Sequence, residues 1–384
     1  MTYLDNAATT AVCAAAAEKA LYMMTTCFGN PSSLHTLGVA AERELTAARG
    51  AVARLMGTTP DTVTFTSGGT EANNLAVLGG AAATARVGRH IVTTAVEHSS
   101  VAAACDELER QGYEVTRLVP GADGMITPEQ VAAACRPDTA LVSVMLVNNE
   151  TGARFAVEEM VPLVRQRAPR ALFHTDCVQA AGKLPLHAKK WGVDLMSISG
   201  HKLHAPKGVG ALYIRTGARV LPRALGGGQE GGHRSGTEAV PAIAAFGAAV
   251  QALPDPAAAQ AHFEALYQRL IDGLRAFPEA RLHVPAVHVP YVLNVSLPGL
   301  RSETMLHFLA QREVYVSGGS ACSKGKASPV LRAMGLPADE IDSALRISFC
   351  HDNTAEDIDR FLAALHDADA SLMRTAAYRR AKTR

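Results

Sequence analysis

The chain has 384 residues, of which 48% are hydrophobic and 19% charged, and its formal net charge is +1 at pH 7. This length is enough for two domains with a sizeable core, and the near-neutral charge gives no sign of a nucleic-acid-binding surface. No stretch approaches the roughly 20 apolar residues of a membrane span, and the start MTYLDNAATT lacks the features of a signal peptide. We therefore expect a cytoplasmic protein with no direct contact to nucleic acid or membrane, whose seven scattered cysteines are free thiols.

Short apolar runs alternate with alanine-rich helical patterns through the first two thirds of the chain. This alternation predicts βαβ units and a mostly parallel sheet that is buried on both faces. Polar residues follow five of the runs directly, namely Thr70, His98, Asn149, Asp176 with Gln179, and Ser199 to Lys202. Because the carboxyl ends of parallel strands lie at one edge, we expect these residues to line one crevice.

The chain breaks around Pro254 to Pro256, and apolar residues then recur at helical spacing from Phe263 to Phe277. Beyond this helix, YVLNVSL, VYVSGG and ALRISF predict strands, and Thr354 with Asp357 predicts the cap of a last helix. We predict an N-terminal segment (1–14) that packs with the small domain, a large domain (15–255), and a smaller α+β domain (256–384) that carries a reactive-cysteine loop.

The stretch TSGGTEANN predicts a flexible turn at Gly68 and Gly69 and a helix that begins at Thr70. The N-terminus of a helix binds phosphate well, because its N–H groups are unpaired and carry partial positive charge. The pattern matches neither the P-loop nor the dinucleotide-binding fingerprint, so a simple turn with a capped helix is an equal alternative.

Three more residues follow predicted strands. Asp176 comes after an apolar run, and a buried carboxylate there needs a histidine, a metal ion or a protonated ring nitrogen, unless it is purely structural. His98 is either a structural histidine or one that stacks on a ring or transfers a proton. Lys202 becomes a nucleophile if burial lowers its pKa, whereas Lys207 lies in a turn and is expected to be solvated. A phosphate-binding helix end, a buried acid and a lysine are the groups that pyridoxal 5′-phosphate requires.

The segment VSGGSACSKGKASP places Cys322 among glycines, which predicts a loop. Lys324 and Lys326 favour the thiolate form of this cysteine, so we expect it to be reactive. We expect the other cysteines to be packed thiols, and we expect no metal site.

With these residues in hand, the chain resembles the cysteine desulfurases of the class V aminotransferase-like group, which are pyridoxal-phosphate enzymes of fold type I. The resemblance covers nearly the whole chain and rests on YLDNAATT, FGNPSSLH, TFTSGGTEANN, VEHSSV, VNNETG, HTDCVQAAGK, SGHKLHAPKGVGALY, RSGTEAV, SGGSACS and ALRISF. It implies an α/β fold: a large domain with a mostly parallel sheet flanked by helices, plus a smaller α+β domain.

The resemblance also implies a role for each site residue in holding the cofactor. Lys202 matches the lysine that forms the Schiff base, and Asp176 the partner of the pyridine nitrogen. Gln179 matches the donor to the ring hydroxyl, and His98 the histidine stacked on the ring. The positions that match phosphate-binding residues are Gly69, Thr70, Ser199 and His201. Thr237 matches a residue that reaches the phosphate of the partner subunit, which implies a homodimer.

The implied reaction converts L-cysteine to L-alanine. Asn149 and Arg346 match the residues that hold the substrate carboxylate, and Lys202 or His98 moves the protons. Cys322 takes up the sulfur as a persulfide and passes it to an acceptor protein for iron–sulfur cluster assembly or thiolation.

Other functions stay open at this point. They are a selenocysteine lyase or another class V aminotransferase-type enzyme, a hydrolase using Cys322 and His98, and a non-catalytic module for sulfur transfer. The chain also departs from its apparent relatives, because the segment after Cys322 is shorter than in housekeeping iron–sulfur members, and Gly231 stands where many relatives carry arginine. The identity of the sulfur acceptor is therefore left open.

Overall fold

The structure is a computed structural model that describes residues 1–318, 327–375 and 378. The strands in these residues are β1 Thr2–Tyr3, β2 Val63–Thr66, β3 His90–Thr94, β4 Glu114–Leu118, β5 Thr139–Ser143, β6 Leu172–Asp176, β7 Leu195–Ser199, β8 Gly210–Ile214, β9 Arg281–Leu282, β10 Val292–Ser296, β11 Val314–Tyr315 and β12 Ala344–Ser348. The α-helices are α1 Ala14–Thr25, α2 Thr36–Met56, α3 Gly69–Asn74, α4 Gly80–Ala83, α5 Ser99–Arg110, α6 Pro128–Ala134, α7 Val157–Arg167, α8 Ala188–Trp191, α9 Val240–Ala252, α10 Pro256–Leu274, α11 Ser302–Ala310, α12 Pro329–Ala333, α13 Ala338–Asp342 and α14 Ala355–Ser371. Over the described ranges, no helix has both the length and the apolar character needed to cross a bilayer.

A seven-stranded sheet with the order β2–β8–β7–β6–β5–β3–β4 forms the centre of the molecule. Only β8 runs antiparallel to its neighbours, and the remaining pairs are parallel. The prediction of a mostly parallel sheet is therefore confirmed. Because β8 opposes both β2 and β7, the carboxyl ends of β2, β3, β5, β6 and β7 all lie at one edge. This edge collects the five polar segments that the sequence indicated.

Apolar side chains cover both faces of this sheet, which explains why its strands have continuous apolar runs instead of alternating ones. Successive residues of one strand enter different clusters, as Leu141 and Val142 do in β5 and Leu172 and Phe173 do in β6. The sheet is thus held rigidly from both sides, and its carboxyl edge is a fixed platform.

Two smaller sheets involve the C-terminal part of the chain. Strands β12, β10 and β9 form an antiparallel sheet, and β1 pairs in parallel with β11, with Thr2 opposite Val314. The chain start therefore reaches the C-terminal part. Thr354 and Asp357 form the expected capping box at the start of α14. The boundaries of the three predicted units stay a prediction.

The cysteines in the described residues are free thiols. Cys27, Cys105, Cys135, Cys177 and Cys350 are buried. Burial raises the pKa of Cys105 to about 12, so this thiol is unreactive at neutral pH. Cys322 lies outside the described residues.

Candidate functional site

The carboxyl edge of the large sheet opens into a cavity of about 580 Å³. It is bounded by the ends of the parallel strands, by the N-terminal segment and by β12. The predicted site residues that line it are Gly69, Thr70, His98, Asn149, Asp176, Gln179, Ser199, His201, Lys202 and Arg346. Five separate segments therefore converge as expected. Thr237 is exposed and does not line this cavity, and Cys322 lies outside the described residues.

The turn after β2 borders the cavity and contains the start of helix α3. Helix α3 begins at Gly69, one residue earlier than predicted, and Gly68 precedes it with φ 151° and no side-chain cap. The N–H groups of the first helical turn have no partner within the helix. A Cβ atom on Gly69 would lie 3.3 Å from the Ser199 Cβ, so glycine permits this close approach. The Ser199 hydroxyl is buried and has no partner among the described residues, which makes the turn suited to an anion.

Lys202 lies just beyond β7, in a short 3₁₀ turn. Its Nζ donates hydrogen bonds to the carbonyl oxygens of Ala7 at 2.6 Å and Ala8 at 2.5 Å. The amine is therefore held inside the cavity by the N-terminal segment. Lys207 is exposed, as predicted, although it reaches the rim of the same cavity.

Asp176 ends β6 and is only 4% exposed. Its carboxylate accepts hydrogen bonds from the Val178 backbone N–H at 2.9 Å and from the Asn73 side-chain amide at 2.7 Å. No ion pair to this carboxylate occurs within the described ranges. His174 is not its partner, because the two ring nitrogens of His174 lie 2.8 Å and 3.0 Å from serine hydroxyls. The two hydrogen-bond donors of this carboxylate, a backbone N–H and a side-chain amide, are both neutral. A buried carboxylate that keeps its negative charge and faces a cavity is suited to a cationic ring nitrogen.

His98 caps α5 and belongs to a chain of hydrogen bonds that ends at Asp176. Its Nδ1 accepts from the Ser100 backbone N–H at 3.2 Å and lies 2.8 Å from the Ser100 hydroxyl. Asn73 donates to that hydroxyl at 2.8 Å and to the Asp176 carboxylate at 2.7 Å. Since a backbone N–H only donates, Nδ1 must be an acceptor, and the ring proton lies on Nε2.

The His98 ring is kept neutral by its surroundings. Burial lowers its pKa below the ordinary value, and the charge of Lys202 acts in the same direction, whereas Asp176 opposes the shift. A neutral imidazole with one fixed tautomer is able to exchange protons at neutral pH.

Arg346 projects from β12 and is 1% exposed. Its Nη1 donates to the Asn149 carbonyl oxygen at 2.9 Å and its Nη2 to the Asp5 carboxylate at 2.8 Å. The Nε is buried without a partner among the described residues. A guanidinium binds a carboxylate with two parallel hydrogen bonds, so Arg346 retains the donors for a small carboxylate ligand.

The segment that contains Gly231 and Thr237 is attached to the turn after β2 from outside the cavity, because Arg234 donates to the Glu71 carboxylate at 3.1 Å. Gly231 has φ 64°, a left-handed conformation that favours glycine. Its neighbour Glu230 accepts two 2.7 Å hydrogen bonds from Arg49. A left-handed backbone is therefore a physical reason for glycine, in place of arginine, at position 231. Thr237 has no contact with the cavity of its own chain.

Sequence reasoning missed five contributors to the site. They are the backbone carbonyls of Ala7 and Ala8, and the side chains of Asp5, Asn73 and Ser100. Asn73 and Ser100 had a usable signal, because they lie within one helical turn of Gly69 and His98, in motifs already singled out. The N-terminal residues also lie in a motif already singled out, YLDNAATT, but that motif does not indicate which groups they contact, because their place depends on residues far away in the chain.

The fold and the site together define an α/β enzyme in which a lysine amine, a buried carboxylate and an anion-binding turn share one cavity at the carboxyl edge of the sheet. Residues 2–361 match the family model described as aminotransferase class-V, and the chain belongs to this family. The family and fold that the sequence predicted are confirmed.

Several relatives are similar over almost their whole length. "Cysteine desulfurase 2" of Trichormus variabilis is 42% identical, with 94% of this chain and 91% of that protein covered. "Cysteine desulfurase IscS" of Methanosarcina thermophila is 40% identical, with 94% and 90% covered. A solved structure titled "NIFS-LIKE PROTEIN" has a TM-score of 0.91 at 35% identity, with 97% of this chain and 100% of that chain covered.

Proposed function

We propose that this protein is a pyridoxal-phosphate-dependent cysteine desulfurase, which converts L-cysteine to L-alanine and carries the released sulfur as a persulfide on Cys322. The main support for this function is that its chemical groups share one cavity. The Lys202 amine and the Asp176 carboxylate, from the ends of neighbouring strands, face the same space as the turn at Gly69 and the guanidinium of Arg346. The names of the similar proteins support the same reaction.

The residues present fit the cofactor. The N–H groups at Gly69 and Thr70, with the unpartnered hydroxyl of Ser199, are suited to its phosphate. His201 adds a ring nitrogen that remains neutral at pH 7, because burial, then the charge of Lys202, lowers its pKa to about 4. Asp176 is suited to its ring nitrogen. When bound, the cofactor withdraws electrons from the substrate carbon that loses its proton.

The remaining chemistry belongs to the side chains of this protein. Lys202 supplies an amine that two carbonyl oxygens aim into the cavity. His98 supplies a neutral ring with its proton on Nε2. Arg346 binds the substrate carboxylate and so orients the amino acid toward both groups.

The described residues on either side of the Cys322 segment contact residues of the site, and on the N-terminal side the Ser317 N–H donates to the Arg346 carbonyl oxygen at 3.2 Å. Ser328, at its C-terminal side, donates a hydrogen bond to the carboxylate of Glu150, which neighbours Asn149 in the chain. Six residues separate Cys322 from Ser328 by number, and an extended chain of that length spans at most about 21 Å. This sets the largest possible distance between Cys322 and Ser328, and the two lysine neighbours of Cys322 favour the thiolate.

A homodimer is part of the proposal. Thr237 is exposed and makes no contact with its own cavity, as expected of a residue that serves the partner subunit. Large apolar side chains are exposed along α1, in the connection to α2 and at the start of α2; in the connection, Phe28 is 65% and Leu34 98% exposed. Light scattering on purified protein tests this point, because Phe28→Glu with Leu34→Glu is expected to give monomers. The acceptor protein and the cytoplasmic location stay predictions.

The decisive assay measures alanine and sulfide from L-cysteine in the presence of a thiol reductant. Cys322→Ser is expected to keep the bound cofactor and to lose sulfide release, and Cys350→Ser is the matched control because that thiol is buried. Normal release from the Cys322 variant contradicts the role of this cysteine. Activity with selenocysteine only, or transamination with a keto acid, favours the alternative reactions.

A further inference from the structure

A second cluster of ionisable side chains lies beside the Lys202 turn and has no role in the proposed reaction. His204 follows Lys202 in this turn, and His351 with Asp352 follows β12. One nitrogen from each histidine and one carboxylate oxygen lie within 4.8 Å of one another. The cluster therefore joins two segments that are far apart in the chain.

One ring nitrogen of His204 is bonded to a backbone carbonyl, an arrangement typical of metal-binding histidines. Its side chain is buried, and its Nδ1–H donates to the carbonyl oxygen of Ala11 at 3.0 Å. The other nitrogen, Nε2, consequently keeps its lone pair. A histidine with one nitrogen on a backbone carbonyl presents the other in a fixed direction to an ion.

The backbone conformation at His204 is unusual and indicates that the position of its side chain matters. Its φ is 58°, in the left-handed region that residues other than glycine seldom adopt. This conformation brings the ring against that of His351, with 4.5 Å between the ring centroids. Strained backbone of this kind is often kept where it positions a functional group.

We propose that His204, His351 and Asp352 bind a divalent cation of the zinc type. Two imidazole nitrogens and one carboxylate oxygen form a donor set that Zn²⁺, Co²⁺ and Ni²⁺ accept readily. Bonds of about 2.1 Å in a tetrahedral site place neighbouring ligand atoms about 3.4 Å apart, so the three side chains move slightly closer together on binding. The side chains of His351 and Asp352 are 28% and 71% exposed, and their movement supplies this closure while His204 stays in place.

The bound ion would fasten three parts of the protein together. The Ala11 carbonyl belongs to the N-terminal segment, His204 to the turn of the reactive lysine, and His351 to the segment directly after the strand of Arg346. The ion is therefore expected to raise the free energy of unfolding by linking these three segments behind the cavity.

The test uses Ni²⁺ and the cofactor-loaded protein in a Cys322→Ser background, which removes the loop thiol as a competing ligand. Isothermal titration is expected to find one equivalent of Ni²⁺ per chain in the parent. His351→Gln and His204→Asn are each expected to weaken this binding at least 10-fold. Asparagine at position 204 tolerates the left-handed backbone and can still donate to the Ala11 carbonyl. The variant therefore tests the loss of the metal-binding Nε2 alone. The matched control is His307→Gln, which removes an exposed histidine of α11.

Thermal unfolding gives an independent readout. At a Ni²⁺ concentration of about 100 times Kd, the parent and the His307 variant are expected to unfold about 4 °C higher than without the ion. The His351 and His204 variants are expected to lack this shift. Equal Ni²⁺ affinity in parent and His351→Gln, or no binding by the parent, overturns the proposal. Neither result bears on the desulfurase activity, which is measured separately.

Discussion

Replacement of Arg346 by lysine tests how the substrate is held. Arg346 has five N–H donors, of which one binds the Asn149 carbonyl and one the Asp5 carboxylate. Three donors remain, enough for a two-bond contact with the carboxylate of L-cysteine. A lysine ammonium has three donors in total, so the same two protein acceptors leave it only one. The variant thus loses one charge-assisted hydrogen bond to the substrate.

Such a bond contributes about 1.5–3 kcal/mol, so kcat/KM for L-cysteine is expected to fall about 10- to 150-fold. The assay is initial-rate alanine formation from L-cysteine and from L-cysteine methyl ester, which lacks the anionic carboxylate. The penalty of Arg346→Lys is expected to vanish with the ester, while the cofactor absorbance is unchanged. An equal loss with both substrates refutes the reasoning, because Arg346 would then act only in holding Asp5 and Asn149.

Three further predictions follow, two for groups at the cavity and one for buried histidines elsewhere. Ser100→Ala removes the hydroxyl that hydrogen-bonds to Nδ1, so the pKa of His98 is expected to rise in an NMR titration; an unchanged pKa contradicts the assigned tautomer. Asp176→Asn is expected to weaken cofactor binding about 10- to 100-fold in equilibrium dialysis, whereas unchanged binding excludes a bond from this carboxylate to a cationic ring. The pKa values of His174 and His283 are lowered by burial to about 3 and about 4, so their unfolded forms bind more protons below pH 6.5. Urea unfolding is therefore expected to show stability falling from pH 6.5 to 4, by up to about 3 kcal/mol per pH unit from these two groups, and a flat profile contradicts it.

The carboxyl edge of the sheet was predictable from sequence because each buried strand is a compact apolar run. Asp176 ends β6, and the apolar run that starts in β5 continues to Val147 before Asn148 and Asn149; buried polar residues of this kind are informative because their burial is costly. Strand β4 was missed for the opposite reason. It lies at the edge of the sheet, contains Glu114 and Arg117, and has no fully buried residue.

The contacts that complete the site were beyond sequence reasoning, because they depend on which distant segments meet. Asp5 reaches Arg346 because β1 pairs with β11, which brings the following residues beside β12. Asp5 itself pairs with Ser348 of β12. The Lys202 amine likewise bonds to the backbone oxygens of Ala7 and Ala8, and a sequence pattern of side chains does not predict contacts to backbone groups. Individual motifs indicated which groups carry the chemistry, whereas the three-dimensional fold decided how those groups are held.

The most direct test of the proposed function asks which amine bonds to the cofactor. Purified protein is expected to be yellow, and reduction with borohydride fixes the carbon–nitrogen link so that peptide mass spectrometry can locate it. We predict a single modified residue, Lys202, and no colour in Lys202→Ala, while Lys207→Ala retains both the colour and the label. Modification of Lys207 or Lys183 instead, or a colourless protein that does not take up pyridoxal phosphate, contradicts the account.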